Sequence, residues 1–172
     1  QDYMAYMKPT DLRAFEYSPA QHHKLILDKF QKLLIRELAK FAASLPPGSA
    51  KSTYGSVVLP TLILARNPKD QILCISNTES LAEGFSRQRR AILQTEEWKR
   101  LSGSELASDA QSLSFQGTVE GGGIYCAGAG ASITGLRCDW LICDDLLVGF
   151  EQANNIVQLD KLWNWYLAEA RS

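Results

Sequence analysis

The chain has 172 residues, 45% of them hydrophobic and 22% charged, which is the composition of one globular domain with a sizeable core. No apolar run is long enough to span a membrane and the first residues lack a secretory leader pattern, so we expect no membrane partner. The formal net charge of −1 gives no sign of a domain that binds nucleic acid through overall positive charge.

The first half of the chain is predicted to alternate between helices and strands. Residues 20–36 carry apolar side chains at helical spacing, and residues 41–43 should form a short strand. A helix should follow Lys51, although a proline lies within it. Residues 72–76 are expected to form a buried strand and residues 78–94 a helix.

The second half continues the same alternation. Residues 112–115 and 124–127 alternate like two strands around a glycine turn at 121–123. Residues 140–143 should form an apolar strand, and residues 151–170 a helix. The pattern predicts an α/β fold with a mostly parallel central sheet flanked by helices.

The four cysteines show neither C-x-x-C spacing nor accompanying histidines. We therefore interpret Cys74, Cys126, Cys138 and Cys143 as small buried hydrophobic residues rather than metal ligands or disulfide partners. That interpretation fits a reducing cytoplasm.

Residues 45–57, LPPGSAKSTYGSV, are typical of a phosphate-binding loop that runs into a helix. With Lys51 and Ser52 at the end of the motif G-x-x-x-x-G-K-[ST], its glycine positions fall on Leu45 and Ala50. Lys51 would contact the β- and γ-phosphates of ATP, and the Ser52 hydroxyl would contact Mg²⁺. The predicted nucleotide-binding residues of the loop are Pro47, Gly48, Ser49, Ala50, Lys51, Ser52 and Thr53. The same residues also fit a simple turn in which Ser49 caps a helix.

Two adjacent carboxylates follow the apolar strand at 140–143. Asp144 and Asp145 fall at its C-terminal end, where open α/β sheets bind ligands. Neighbouring carboxylates repel each other, so the pair implies a cation or a division of labour. We assign Asp144 to Mg²⁺ and Asp145 to the water that attacks ATP. The alternative is a strand that ends in a polar turn with two solvated aspartates.

Five blocks of sequence, in their order and spacing, resemble the ATPase domain of the large terminase subunit of tailed bacteriophages. The blocks are SPAQHHKLILDKFQKL, LPPGSAKS, ARNPKDQILCISNTESLAEGFSRQRRAIL, GAGASITGLRCDWLICDDLL and KLWNWYLAEARS. A loop that begins LPP, without the first glycine, is similar to that family's own variant. Ala50 in place of the last glycine is a departure, and so is Asp145, because the more general form has a glutamate there.

The resemblance implies a P-loop NTPase of the RecA-like (ASCE) type that hydrolyses ATP with Mg²⁺ to package double-stranded DNA. It further implies a portal protein and a small terminase subunit as partners, a homo-oligomeric ring, and the host cytoplasm as location. Residues 1–172 would be the ATPase domain, truncated before the coupling strand and the nuclease domain of full-length relatives.

Four further groups carry open alternatives. Gln21 resembles a glutamine that reads the adenine edge, or it is an ordinary polar residue in a first helical turn. Arg137 would stabilise transition-state charge, in cis or from a neighbouring subunit, or it pairs with an acid such as Asp139. The basic run at 87–90 is either a solvated helix face or a phosphate contact. We expect the histidines at 22–23 to be surface or packing residues.

Two rival functions remain at this point. One is a nucleotide-dependent switch or assembly module with little turnover. The other is a different DNA-dependent P-loop ATPase, of the strand-exchange or helicase type, with no capsid partner.

Overall fold

The centre of the fold is a five-stranded mixed sheet. The computed structural model describes residues 19–133, 135–147 and 149–170. The strands are β1 (Gln71–Ser76), β2 (Leu106–Gln111), β3 (Phe115–Thr118), β4 (Gly123–Gly128) and β5 (Trp140–Asp144). They lie in the order β2-β3-β4-β1-β5, so β5 is an edge strand of the described sheet.

Helices connect and flank these strands. They are α1 (Gln21–Leu34), α2 (Leu59–Arg66), α3 (Glu79–Leu93), α4 (Glu96–Ser102), α5 (Gly149–Ala153) and α6 (Ile156–Trp165). Two π-helical segments adjoin them: Thr53–Val58 leads into α2, and Tyr166–Ala170 follows α6. Residues 51–66 are therefore one continuous helical stretch that begins at the predicted phosphate loop.

The sheet is only partly parallel. β1 runs parallel to β4 and β5, and Cys74 lies opposite Cys126 on one side and Ile142 on the other. β3 is antiparallel to both β2 and β4. The expectation of a mostly parallel sheet is corrected here, because the short connection at residues 119–122 allows a hairpin and not the crossover that parallel strands need.

The best-predicted elements have clear end signals. α3 begins where the Thr78 hydroxyl accepts a hydrogen bond from the Leu81 N–H at 3.3 Å, and Glu79 in its first turn favours the helix dipole. α1 buries one apolar face, formed by Ile26, Phe30, Leu33 and Leu34. Both helices match the predicted ranges within about two residues, and the strand predicted at 72–76 is confirmed as β1.

Other elements differ from the sequence predictions. Residues 41–43 are exposed and form no strand, and the strand expected at 112–115 lies at 115–118 instead. The C-terminal helix is divided near Asn155, whose side chain caps α6 by accepting from the Gln158 N–H. Cys143 is exposed on the edge strand rather than buried, whereas Cys74 is buried as expected.

The two faces of the sheet are covered unequally. The larger core lies between the sheet and α1, the 53–58 segment, α2, α3 and α4. The other face carries a small buried cluster of Leu73, Ile75 and Ile133. Ala129, Ala131, Leu136 and Cys138 pack against that cluster. Trp165 Nε1 of α6 donates to the Ala131 carbonyl at 2.8 Å and so ties this region to the C-terminal helix. The helical stretch at 51–66, which follows the predicted phosphate loop, packs into the larger core.

Candidate functional site

The predicted phosphate loop contains two residues with left-handed backbone. Gly48 has φ +79° and Ala50 has φ +57°, and the helical stretch begins at Lys51 directly afterwards. Left-handed residues alternating with others turn successive N–H groups towards one side, which is the geometry of anion-binding concavities. The loop therefore has the backbone features of a phosphate site, with alanine where glycine is the usual residue.

The loop is supported from α1 by a histidine. His23 contacts the Ser49 carbonyl through Nε2 at 3.0 Å, and its ring stacks on Tyr54 with the centroids 4.8 Å apart. Its Nδ1 accepts from the Ala20 N–H, so the proton of a neutral ring lies on Nε2, which donates to Ser49. The expectation that this histidine is a packing residue is confirmed, and its partner is the loop itself.

Lys51 joins the loop to the end of β5. Its Nζ lies 3.4 Å from Asp144 Oδ1 and also contacts Asp145 Oδ1. Burial lowers the pKa of Lys51, but the hydrogen bond to Asp145 and the charges of both aspartates outweigh it and raise the pKa above its ordinary value. The structure thus brings together the lysine and the two carboxylates that the sequence singled out separately.

The two aspartates have different surroundings. Asp144 is 7% exposed, whereas the side chain of Asp145 is 60% exposed and its backbone is left-handed at φ +45°. Asp144 also accepts a hydrogen bond at Oδ2 from the Ser56 hydroxyl at 2.9 Å. Each oxygen of Asp144 therefore has a partner. Asp145 instead faces solvent, and its contact is with the flexible side chain of Lys51.

Sequence reasoning missed Ser56. Its position four residues after Ser52 in a predicted helix was an available signal, because residues i and i+4 share a helix face. Ser52 and Thr53 lie half-buried in the first turn after Lys51. Ser52, Ser56 and Asp144 thus place hydroxyl and carboxylate oxygens on the elements that meet at this end of the sheet.

The basic run at 87–90 does not form one charged surface. Arg87 pairs with Glu83 at 3.3 Å, and Arg90 donates to the Gln111 carbonyl at 3.0 Å. Arg89 is 1% exposed and donates to the Ser56 carbonyl and to Cys126 Sγ. Arg89 fits neither of the two interpretations made from the sequence.

Two predicted nucleotide-binding residues have no defined role in the structure. Gln21 is exposed at the first position of α1, two residues before His23. Pro47 is exposed in the loop. Their assignment to the nucleotide stays a prediction.

Arg137 lies away from Lys51. It is exposed and precedes β5, where the Asp139 N–H bonds to the Gln71 carbonyl at the start of β1. Asp139 accepts from the Gln71 N–H at 2.8 Å, and no ion pair joins it to Arg137 in the part of the chain that the structure describes. Arg137 therefore lies at the opposite end of β5 from the carboxylates.

The donor set at Lys51 fits Mg²⁺ in a nucleotide complex. Mg²⁺ takes oxygen ligands and is usually held by one or two carboxylates together with phosphates and waters. Asp144 supplies a buried carboxylate and Ser52 a hydroxyl nearby in the first helical turn. No group of three or more His, Cys, Asp or Glu side chains among the described residues is arranged to hold a metal ion by itself.

One described cavity lies on the second face of the sheet. It has a volume of about 600 Å³ and is bordered by Phe115, Tyr125 and residues 128–132. Lys51 and the two aspartates are not among the residues that line this cavity.

Comparison with known proteins finds no protein-family model and no curated protein that matches the chain. Among the residues that the structure describes, no helix has the length and apolar character needed to cross a membrane.

Proposed function

We propose that this chain is an ATP-hydrolysing domain with its site at Lys51, Asp144 and Asp145. The supporting observation is that the loop lysine contacts the carboxylates at the C-terminal end of β5. Lys51 and Asp145 are 94 positions apart in the sequence. A lysine beside a helix N-terminus and a carboxylate pair at a strand end are the two parts that phosphoryl transfer needs. Chance proximity of surface charges would not also bury Asp144 and hold both its oxygens.

The more specific proposal is the motor domain of a viral large terminase that drives DNA into a procapsid. It follows from the resemblance of the five sequence blocks, and it brings double-stranded DNA, a portal protein and a small terminase subunit as partners. The P-loop NTPase fold belongs to the same proposal. The α/β sheet with helices on its faces is compatible with it.

In the proposed reaction, Lys51 exchanges partners. The phosphates of ATP bind at the loop N–H groups and draw the Lys51 ammonium away from Asp145. Asp145 is then free to accept a hydrogen bond from a water in line with the bond to the leaving ADP oxygen. The water oxygen bonds to the γ-phosphorus as the bond to the ADP oxygen breaks, and the water's proton passes by way of Asp145 to the released phosphate, giving ADP and phosphate. Lys51 stabilises the negative charge that develops on the phosphate oxygens.

The metal would be held by Ser52 and Asp144. Mg²⁺ held there would neutralise part of the negative charge on the phosphates. The Ser56 hydroxyl keeps Asp144 turned towards Lys51 and the loop.

A nucleotide-dependent switch with little turnover is the second candidate. It is favoured by the direct contact between Lys51 and Asp145, which occupies both groups with each other. If that contact persists when ATP binds, Asp145 cannot order a water. Binding and turnover therefore have to be measured separately.

The loop assignment predicts that Lys51→Ala weakens ATP binding roughly 10- to 100-fold, because a charged hydrogen-bond donor to the phosphates is lost. Titration calorimetry with Mg-ATP measures the change, and circular dichroism checks the fold. Lys69→Ala is the matched control. Lys69 is exposed and lies just before β1, at the end of that strand opposite to the site. Equal affinities for the wild type and Lys51→Ala would refute the phosphate-loop assignment.

Phosphate release by the wild type, with and without double-stranded DNA, separates the candidate functions. Tight ATP binding with no release under either condition identifies the switch. Release that DNA stimulates supports an ATPase that acts on DNA. Further stimulation by a portal protein distinguishes the terminase proposal from another DNA-dependent ATPase.

A further inference from the structure

The helix after the phosphate loop contains a proline, which cannot donate an N–H to the carbonyl four residues before it. Pro60 lies four residues after Ser56, and proline has no N–H to donate to the carbonyl at i−4. Its ring also crowds that carbonyl. The preceding turn is π-helical, and the Leu59 N–H bonds to the Tyr54 carbonyl five residues back. The Ser56 carbonyl therefore has no α-helical N–H donor four residues later, at Pro60.

Arg89 of α3 donates to this carbonyl. Its Nη1 bonds to the Ser56 oxygen, and its Nη2 contacts Cys126 Sγ on β4. Arg89 is 1% exposed, and in the described part of the chain no carboxylate forms an ion pair with it. Its Nε is buried without a hydrogen-bond partner among those residues. Burying a charge without a counter-ion is costly, so a purely structural role for Arg89 is hard to account for.

The same serine holds the proposed metal carboxylate. The Ser56 hydroxyl donates to Asp144 Oδ2 at 2.9 Å, and Asp144 Oδ1 faces Lys51 at 3.4 Å. The carbonyl and the hydroxyl belong to one residue, so a group that fixes the Ser56 backbone also fixes the point from which the hydroxyl reaches Asp144. The contacts therefore run from α3 through the π-helical turn to the end of β5.

We propose that Arg89 is a positioning residue for the nucleotide site. By holding the Ser56 carbonyl, which has no N–H donor at Pro60, Arg89 keeps the Ser56 hydroxyl on Asp144 and orients that carboxylate for Mg-ATP. The inference rests on the proposed function, because it assigns Arg89 a task at that site. Arg89 touches neither nucleotide nor metal and acts through Ser56 alone.

The test measures the Mg²⁺ concentration needed for tight binding of N-methylanthraniloyl-ATP, followed by fluorescence, in the full chain. Ser56→Ala and Arg89→Met should each raise that concentration about ten-fold, which is the scale at which groups behind a metal ligand act. Binding of the same probe in EDTA should stay unchanged in both variants, because neither residue touches the phosphates.

The double variant Ser56→Ala/Arg89→Met decides between positioning and structure. If Arg89 acts through Ser56, the double variant needs no more Mg²⁺ than Ser56→Ala does. Effects on the Mg²⁺ requirement that multiply would show that Arg89 acts independently, and would overturn the proposal. Arg89→Lys should restore part of the wild-type Mg²⁺ requirement by supplying one donor to the Ser56 carbonyl.

Matched controls remove a similar group elsewhere. Ser86→Ala deletes another buried hydroxyl, which accepts from Gln116 at 2.8 Å, and Arg90→Met removes the neighbouring arginine. Neither should change the Mg²⁺ requirement. If Arg89→Met does not fold, Ser56→Ala and Arg89→Lys carry the test, and a wild-type Mg²⁺ requirement in Ser56→Ala overturns it.

The two proposals fail in different ways. A wild-type chain that shows no Mg²⁺-dependent nucleotide binding contradicts the proposed function. A wild type that binds Mg-ATP, with variants whose Mg²⁺ requirement is unchanged, contradicts only the role of Arg89.

Discussion

Two residues at the site have left-handed backbone conformations, which residues other than glycine rarely adopt. Ala50 precedes Lys51 and has φ +57°, and Asp145 contacts Lys51 and has φ +45°. Each left-handed residue costs about 1–2 kcal/mol relative to ordinary helical backbone. Such strain is concentrated at functional sites, where the surrounding structure holds it in place. The strain at Ala50 can be removed by a single substitution.

We expect Ala50→Gly to raise the free energy of unfolding by up to about 1 kcal/mol, because glycine reaches positive φ without a steric penalty. A modest rise in ATP affinity or turnover should accompany it, since glycine also lets the loop N–H groups approach the phosphates. Urea denaturation and calorimetry measure the two effects. Ala65→Gly in α2 is the control and should be destabilising by about 1 kcal/mol. A less stable Ala50→Gly with weaker ATP binding would contradict this explanation.

The two carboxylates should separate in function when each is made neutral. Asp145→Asn should bind Mg-ATP and lose hydrolysis, because its exposed side chain is the one free to face a water. Asp144→Asn should raise the Mg²⁺ requirement, because its buried carboxylate is fixed by Ser56 and Lys51. Binding and phosphate release, measured at several Mg²⁺ concentrations, distinguish the two. Variants that bind and hydrolyse alike would show that the assigned roles are wrong.

The sequence motifs identified residues at fixed positions in a loop or at a strand end. They missed residues whose role depends on contacts between different helices and strands. Lys51 and the aspartates stand in motifs, so a loop and a strand end were enough to find them. Ser56 and Arg89 are important through contacts between a helix, another helix and a strand. The i, i+4 spacing from Ser52 was the one local sign for Ser56, and the basic run at 87–90 gives no sign that Arg89 is buried.

At the scale of elements, periodicity predicted the amphipathic helices and the central strand β1. It failed for the segment at 41–43, because a strand needs a neighbour and no described strand pairs with that segment. α4 was missed although Thr95 caps it and Gly103 ends it with φ +66°. β2, with the sequence LASDAQ, lacks the β-branched and aromatic residues that mark strands.

The hairpin between β3 and β4 is held against the start of β1 by a close backbone contact. A Cβ at Gly122 would overlap the Pro68 carbonyl oxygen and lie 2.7 Å from the Asp70 carbonyl oxygen. These are backbone atoms and cannot turn away. Gly122→Ala should therefore lower the free energy of unfolding by about 1–3 kcal/mol, as overpacking does.

Gly84→Ala is the control for that substitution. Gly84 lies in α3 with open space around its Cα, so alanine should raise the free energy of unfolding by up to about 1 kcal/mol. Chemical denaturation of both variants gives opposite signs if the contact at Gly122 is as close as the structure shows. A stable Gly122→Ala would mean that the hairpin can move away from Pro68.

At the scale of the whole molecule, the carboxylates of the site and Arg137 lie at opposite ends of β5. β5 has 5 residues and carries the carboxylates at its C-terminal end. Arg137 comes before its first residue, so about 13 Å of strand separates the two ends. An arginine side chain does not span that distance and also reach a phosphate. We therefore expect any catalytic role of Arg137 to lie at the site of a neighbouring subunit.

This geometry predicts complementation between two defective variants. Arg137→Ala should bind ATP like the wild type and lose about 10³-fold in turnover, if its arginine completes a neighbour's site. Lys51→Ala should be inactive for a different reason, so a mixture of the two variants should recover activity at sites that combine an intact lysine with an intact arginine. The specific activity of the wild type should rise with protein concentration. Arg66→Ala, at another exposed arginine, is the control and should change neither quantity. A fully active Arg137→Ala, with wild-type specific activity that is flat from dilute to concentrated protein, would leave Arg137 no part in the reaction.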